Sequence, residues 1–438
     1  MEKKPRSEST KRLADPFNRF FPGDNFVREI FKLDRTAMPP ELQLVLACLR
    51  KAPHEQEVQQ IERLSRGKIA WPDFLRWVDR HRVAPLVYEN LRRYGGNGVS
   101  GAVRNALRSR FESNAQRSLI NAAELLRLHT LLQKNNIPCV PLKGSLLALQ
   151  VYGNLALRHA GDIDLLVDRN HVDRADLLLR QDYSRLSPGP YLTPFQKRAF
   201  CRLQEHLVYT HDSNKVKLEL HSRLFYNRPY CATDFTRLLE RLQSITVANS
   251  SLLAMPLEDT VLYLADHGGQ HNWSRLFWLN DLAEIIRWNR LPDWDALLAG
   301  AREKGVTRPL VQGVVLAHHL LQAPLPEAIQ AHAAQDRMVN YLVHAALRRI
   351  CTIEQQKPPI TEILYGNMIH RARLYSEVKY KIKVMQRVLL YSRDWGTIRL
   401  PDIAFPTFFM MRPFLWLYRK LGRYREKSGR RRTEGRNT

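Results

Sequence analysis

The sequence predicts an α/β (α+β) chain, with one compact domain of mixed strands and helices set between helical regions on either side. Two observations predict it. Between about 111 and 245, short β-type runs alternate with helical stretches, the pattern of a sheet covered by helices. From 1 to 110 and from 246 to 400, apolar residues recur almost entirely at helical spacing. A last segment, 401–438, is aromatic and then basic, and differs from both. With 438 residues, the chain has room for two or three domains and a large core.

Taken in order, Leu42, Leu44, Val45, Leu46 and Leu49 make a buried helix. Asp73 to Tyr94 reads as two helices meeting near Pro85, and Gly95 to Gly101 breaks the pattern and suits a boundary. A long helix then runs over about 102–135, with Leu119, Ala122, Leu125, Leu126, Leu128, Leu131 and Leu132 at helical spacing. Four β-type runs follow, at 137–142, 163–167, 206–210 and 216–221, the last two separated by the turn-forming Asp212-Ser213-Asn214. Further helices are expected at 257–268, 273–288, 295–304, 309–321 and 338–350. A faint echo between the segments starting at Trp71 and Trp294 is read as two helix–turn–helix units of similar composition.

Charge narrows the partners. The chain holds 68 Lys+Arg against 43 Asp+Glu, a net charge of +25 and a field that attracts nucleic acid, nucleotide phosphates or an anionic membrane surface. From Arg412 to Arg436 there are ten basic and two acidic residues, so most of the excess lies elsewhere in the chain. The five cysteines are scattered without a C-x-x-C pair, which argues against a disulfide framework or zinc knuckle and for a reducing, cytoplasmic setting. The charged start MEKKPRSESTKR does not resemble a signal peptide, and no apolar run reaches the length of a membrane span.

The chemistry concentrates between Leu142 and Glu219. Asp162 and Asp164 are two apart on a strand, so they project side by side. Adjacent carboxylates repel unless a cation sits between them, and hard oxygen ligands of this kind suit Mg²⁺ or Mn²⁺ holding a triphosphate. Glu219, on a later strand with apolar flanks, is the candidate for the third carboxylate of a metal site. Gly144 and Ser145 follow the first strand and open a helix, where backbone can approach phosphate, with Ser145 also suited to cap that helix. Lys143 and Arg158 can neutralise phosphate charge.

These motifs resemble the polymerase-β-like nucleotidyltransferase superfamily. More narrowly, LKGSLLALQVYG…LRHAGDIDLLV is similar to a family of uncharacterised nucleotidyltransferases, as are DHGGQHNWSRLFWLNDLAEIIR and the stretch from Tyr391 to Tyr424. Glu219 stands where that pattern leads one to expect Asp. The resemblance implies a catalytic domain over 111–245 and transfer of an NMP group from an NTP to an acceptor that the sequence does not identify. It implies that Asp162, Asp164 and Glu219 bind Mg²⁺ or Mn²⁺ for two-metal catalysis, and that Lys143, Gly144, Ser145 and Arg158 hold the triphosphate. Two rival readings are a non-catalytic descendant that binds nucleic acid or a partner, and a kinase-like transfer of the γ-phosphoryl group.

Other signals receive plainer readings. His267 and His271 are one helical turn apart, but the glycines between them favour a structural or substrate-facing role over zinc. Asp281 suits helix packing or a salt bridge, with a site-lining role left open by the resemblance, and His206 and His221 read as satisfied core histidines. The tail has three readings: a disordered solubilising end, a nucleic-acid contact, or an interfacial anchor in which aromatics such as Phe408, Phe409 and Trp416 enter a lipid boundary while the arginines meet anionic headgroups. The aromatic density favours the last, which would place the protein peripherally at a membrane.

Overall fold

The computed structural model describes residues 35–187, 206–225, 232–247, 250–288, 293–353 and 368–382, together with 193, 195, 196, 200, 401–405, 407, 408, 410 and 411. Two compact units emerge, each gathered from three stretches of chain. One comprises Met1–Leu107, His271–Arg290 and Val311–Pro358, and the other Arg108–Gln270, Leu291–Leu310 and Pro359–Thr438.

The first unit is helical throughout its described residues. Its early helices are Pro40–Ala47, Glu55–Arg66, Trp71–His81 and Ala84–Tyr94, with the expected pair meeting at Val83. The Glu55–Arg66 helix starts with a capping box, in which the His54 backbone N–H donates to the Glu57 carboxylate at 2.7 Å. Pro72 and Pro85 sit in first turns, where a missing N–H costs nothing. Leu276–Arg287, Glu327–Gln335 and Arg337–Ile350 complete the helices that lie wholly in this unit. Trp273 is fully buried, and a Cβ on Gly313 would lie 2.6 Å from its ring, so this glycine makes room for the indole.

The second unit holds the sheet and shows the α+β class that the sequence predicts. Five strands, β1 (Cys139–Pro141), β2 (Ile163–Val167), β3 (Tyr183–Ser187), β4 (His206–His211) and β5 (Lys217–His221), are ordered β1-β2-β5-β4-β3. β2 and β5 are parallel and the other pairs antiparallel, with Asp164 opposite Glu219 and His206 opposite His221. A hairpin, β6 (Gln243–Val247) and β7 (Ser250–Ala254), forms a separate small sheet. The helix Gly101–Lys134 matches the long helix read from the sequence, and Leu125, Leu128 and Leu132 turn inward from it.

Strand pleating sorts the side chains. Ile163, Leu165, Val167, Leu218, Leu220, Leu207, Tyr209 and Tyr183 join the core under the Gly101–Lys134 and Val172–Leu179 helices. Residues one position out of phase lie on the opposite face, among them Asp164, Glu219, His221 and His206. Two polar anchors are buried beneath: the Tyr183 hydroxyl donates to Glu124 at 2.6 Å and the Tyr209 hydroxyl to Asp176 at 2.8 Å.

The aromatic segment is corrected by the structure. Phe405 and Phe408 are buried within the sheet core, so Phe408 is not available to a lipid surface. Phe409, Trp416 and the basic run after them lie outside the described residues. No helix among the described residues is long and apolar enough to cross a membrane.

Candidate metal centre

The site grows out of the central pair of strands. Because β2 and β5 are parallel with Asp164 opposite Glu219, two acids from segments more than fifty residues apart stand side by side on one face. Asp162 sits just before β2 and reaches the same place from its end. One oxygen from each of Asp162, Asp164 and Glu219 falls within a span of 4.8 Å.

The loop between β1 and β2 brings a cation into this group. The Lys143 ammonium lies 3.2 Å from Asp162 Oδ1 and also donates to Asp164 Oδ2. Gly144 takes φ +75°, a left-handed conformation that side chains resist, and its α-carbon faces the Asp162 carbonyl. After it comes the short helix Ser145–Leu147 and a π-type turn over Ala148–Tyr152. Ser145 is the first helical residue and not its cap; Gly144 holds the cap position.

The approach to Asp162 is pinned from the long helix. Asn114 donates to the carbonyls of Ala156 (3.0 Å) and Arg158 (2.9 Å) and accepts the Ala160 N–H at 2.9 Å, while Asn121 donates to the Gly161 carbonyl at 3.3 Å. A stretch without regular secondary structure is thereby fixed just where an acid must be aimed. Arg158 is buried, and its guanidinium donates to the His159 carbonyl at 3.4 Å.

Two histidines border the carboxylates. His221 Nε2 is 3.2 Å from Asp164 Oδ1 and 3.4 Å from Glu219 Oε2, and His206 Nε2 is 3.8 Å from Glu219 Oε2. Tyr263, on the helix Leu257–Gln270, is buried beside the same charges.

Electrostatics follow from this crowding. Burial disfavours charge on Lys143, but Asp164 and Asp162 outweigh it and hold the ammonium protonated well above the ordinary lysine range. Lys143 in turn holds the Asp162 carboxyl below its usual range. Burial raises Asp164, which is fully enclosed, against the pull of Lys143. For Glu219, burial is overcome by the His221 hydrogen bond and the charges of His206 and His221, and its carboxyl stays well below the usual range. His221 is likewise buried, yet its bonds to Asp164 and Glu219 push it up to about 9. Burial, then Asp164, keeps the Tyr263 phenol protonated far above its ordinary value.

Of the residues read from the sequence, Asp162, Asp164, Glu219 and Lys143 are brought into one cluster, with Gly144 against the Asp162 backbone. His206, His221, Tyr263, Asn114 and Asn121 also belong to this neighbourhood. The histidines' signal was their place in and beside the acid strands; the asparagines and Tyr263 carry no local pattern. His267 lies tilted against Tyr263 with ring centroids 6.0 Å apart, while His271 follows the helix end and stacks on Trp278. Neither is part of a potential ligand group among the described residues. Asp281 is fully buried within the Leu276–Arg287 helix of the other unit.

A protein-family model described as "Uncharacterised nucleotidyltransferase" matches residues 67–322, more than half of the chain. The chain belongs to this nucleotidyltransferase family. The matched range contains every member of the carboxylate cluster and its asparagine supports. Among solved structures, the crystal structure of an antigenic nucleotidyltransferase-like protein from Paracoccidioides brasiliensis is similar at 12% identity, over 49% of this chain and 95% of that one, with a TM-score of 0.26. No curated protein matches the chain.

Proposed function

We propose that the chain is a metal-dependent nucleotidyltransferase, joining the NMP group of an NTP to an acceptor hydroxyl or similar nucleophile. The observation that carries this reading is the convergence of Asp162, Asp164 and Glu219 within 4.8 Å at the end and on the face of two parallel strands. The donor set suits Mg²⁺ or Mn²⁺, since three carboxylates supply hard oxygen ligands. That a lysine ammonium already nests against Asp162 and Asp164 supports the fit, because the position favours positive charge in the folded protein.

When bound, the divalent ion lowers the pKa of the acceptor hydroxyl and neutralises triphosphate charge. The protein's own groups do the rest. Asp162, Asp164 and Glu219 would hold the ion and orient the acceptor; as the acceptor oxygen bonds the α-phosphorus, the bond to pyrophosphate breaks and the acceptor proton passes to water. Lys143, Ser145 and Arg158 are the groups assigned to the triphosphate. Lys143 then has two roles, balancing the acids before substrate enters and meeting phosphate oxygens afterwards. Asn114 and Asn121 keep the Asp162 loop in place, so catalysis draws on positioning and charge more than on covalent chemistry.

The test uses NTP labelled at either the α- or the γ-phosphate, with Mg²⁺ and a cell extract as the source of acceptors. Transfer of α-label alone, absent in Asp162→Asn, is the expected result. Transfer of γ-label would make the protein a kinase-like enzyme, and no transfer of either would leave a binding protein.

A further inference from the structure

The polar face of the sheet carries a second set of donors beside the carboxylates. His206 and His221 are direct partners across the antiparallel β4–β5 pair, and Glu219 is two residues from His221 on the same strand. Pleating therefore sends all three side chains to one side of the sheet. His206 Nε2 lies 3.8 Å from Glu219 Oε2, and His221 Nε2 lies 3.4 Å from the same oxygen, with all three donor atoms within 4.8 Å. Donors of a tetrahedral ion bonded at about 2.0–2.2 Å stand roughly 3.3–3.5 Å apart. The observed separations need only a small inward movement.

The chemistry of this set differs from that of its neighbour. Three carboxylates favour hard ions, whereas two imidazoles and one carboxylate favour the borderline ions at the zinc end of the divalent series. Both His206 and Glu219 are partly exposed, at 34% and 26%, so water or a substrate atom can complete the coordination from the open side. Glu219 belongs to both groups, and a carboxylate has two oxygens with which to serve two ions.

We infer that His206, Glu219 and His221 form a binding site for a borderline divalent ion such as Zn²⁺, adjacent to the Asp162–Asp164 carboxylates and sharing Glu219 with them. The inference does not depend on nucleotidyl transfer, because it needs only these three donors. It gives Glu219 a reason to be longer than aspartate: its extra methylene carries the carboxylate toward the imidazoles of two strands.

The experiment is a Co²⁺ titration of protein first stripped with EDTA, read by the visible d–d bands of the cobalt ion and repeated with excess Mg²⁺. One Co²⁺ that persists against Mg²⁺ is expected. His206→Gln should weaken it by about tenfold or more, Glu219→Gln should do the same, and Asp162→Asn should leave it nearly unchanged. Circular dichroism checks that each variant is folded, and the half-exposed His206 makes its variant the safest probe. Absence of bands in the wild type, or unchanged binding in His206→Gln, overturns the inference. Equal loss in Asp162→Asn overturns it as well, by assigning the ion to the carboxylates, and leaves the nucleotidyltransferase reading standing. Cobalt bound through the histidines with no label transferred from NTP would sustain this site while removing that reading.

Discussion

Lys143 decides how the individual residues of the site behave. It is buried between Asp162 and Asp164, so the acids are not simply a repelling pair. Asp164→Ala strips Lys143 and His221 of a buried partner and is expected to cost about 3–5 kcal/mol in urea unfolding. Asp162→Asn, whose side chain is 36% exposed, should cost about 1 kcal/mol or less. Both should abolish transfer. Lys143→Met is expected to melt lower than wild type in EDTA, since three carboxylates then share no ammonium. Mg²⁺ should raise its melting temperature more than that of the wild type, because no ammonium has to yield the position; equal shifts would contradict the placement of Lys143. Asp162, Asp164 and Lys143 were legible in the sequence because they stand on one short strand and in the loop that leads to it. Glu219, on a strand more than fifty residues later, was reached through its apolar flanks and the family resemblance. The contributions of His206, Asn114, Asn121 and Tyr263 were not legible, because each depends on how a distant element docks. An asparagine on a helix surface looks the same whether it faces water or pins a loop forty residues away.

At the level of elements, strands at 139–141, 163–167, 206–211 and 217–221 fall where alternation or apolar runs put them. β3, Tyr-Ser-Arg-Leu-Ser, was missed, for its polar residues are acceptable only because Arg185 pairs with Asp176 at 2.8 Å and Tyr183 with Glu124. The β6–β7 hairpin was also missed; it is short, and its tertiary burial through Leu252 and Ala254 outweighs a weak local preference. The helix Glu327–Gln335, rich in alanine and with few apolar anchors, gave too faint a periodicity. Helix ends carry sharper requirements. Gly305 closes Trp294–Lys304 with φ +68°, and a Cβ there would lie 2.3 Å from the Tyr380 ring. Gly305→Ala is therefore expected to destabilise by about 2 kcal/mol or more, measured by chemical denaturation.

Over the whole molecule, reading along the chain gives consecutive blocks, whereas each compact unit gathers three separated segments; periodicity reports which face of a helix is buried but not against what. One consequence concerns pH. In the helical unit, His81 is fully enclosed, stacks on Trp77 and accepts the Leu276 N–H at 3.3 Å; burial, reinforced by Arg80 and Arg275, lowers its pKa to about 3. The unfolded chain takes up that proton near pH 6.5 and the folded one does not. Stability from this group is thus complete above pH 6.5 and falls as pH drops toward 3, by up to about 1.4 kcal/mol per unit. The urea midpoint should decrease from pH 7 to pH 5, and less steeply in His81→Gln. Another consequence concerns order in time. Phe405 and Phe408 fill the sheet core, yet the last strand among that unit's described residues ends at Ala254. During synthesis at about 5–20 residues per second, roughly 150 residues separate the completed strands from the aromatics that close over them. For about 8–30 seconds the nascent sheet stands with an open seam, because the unit cannot shut until its two closing aromatics have been made.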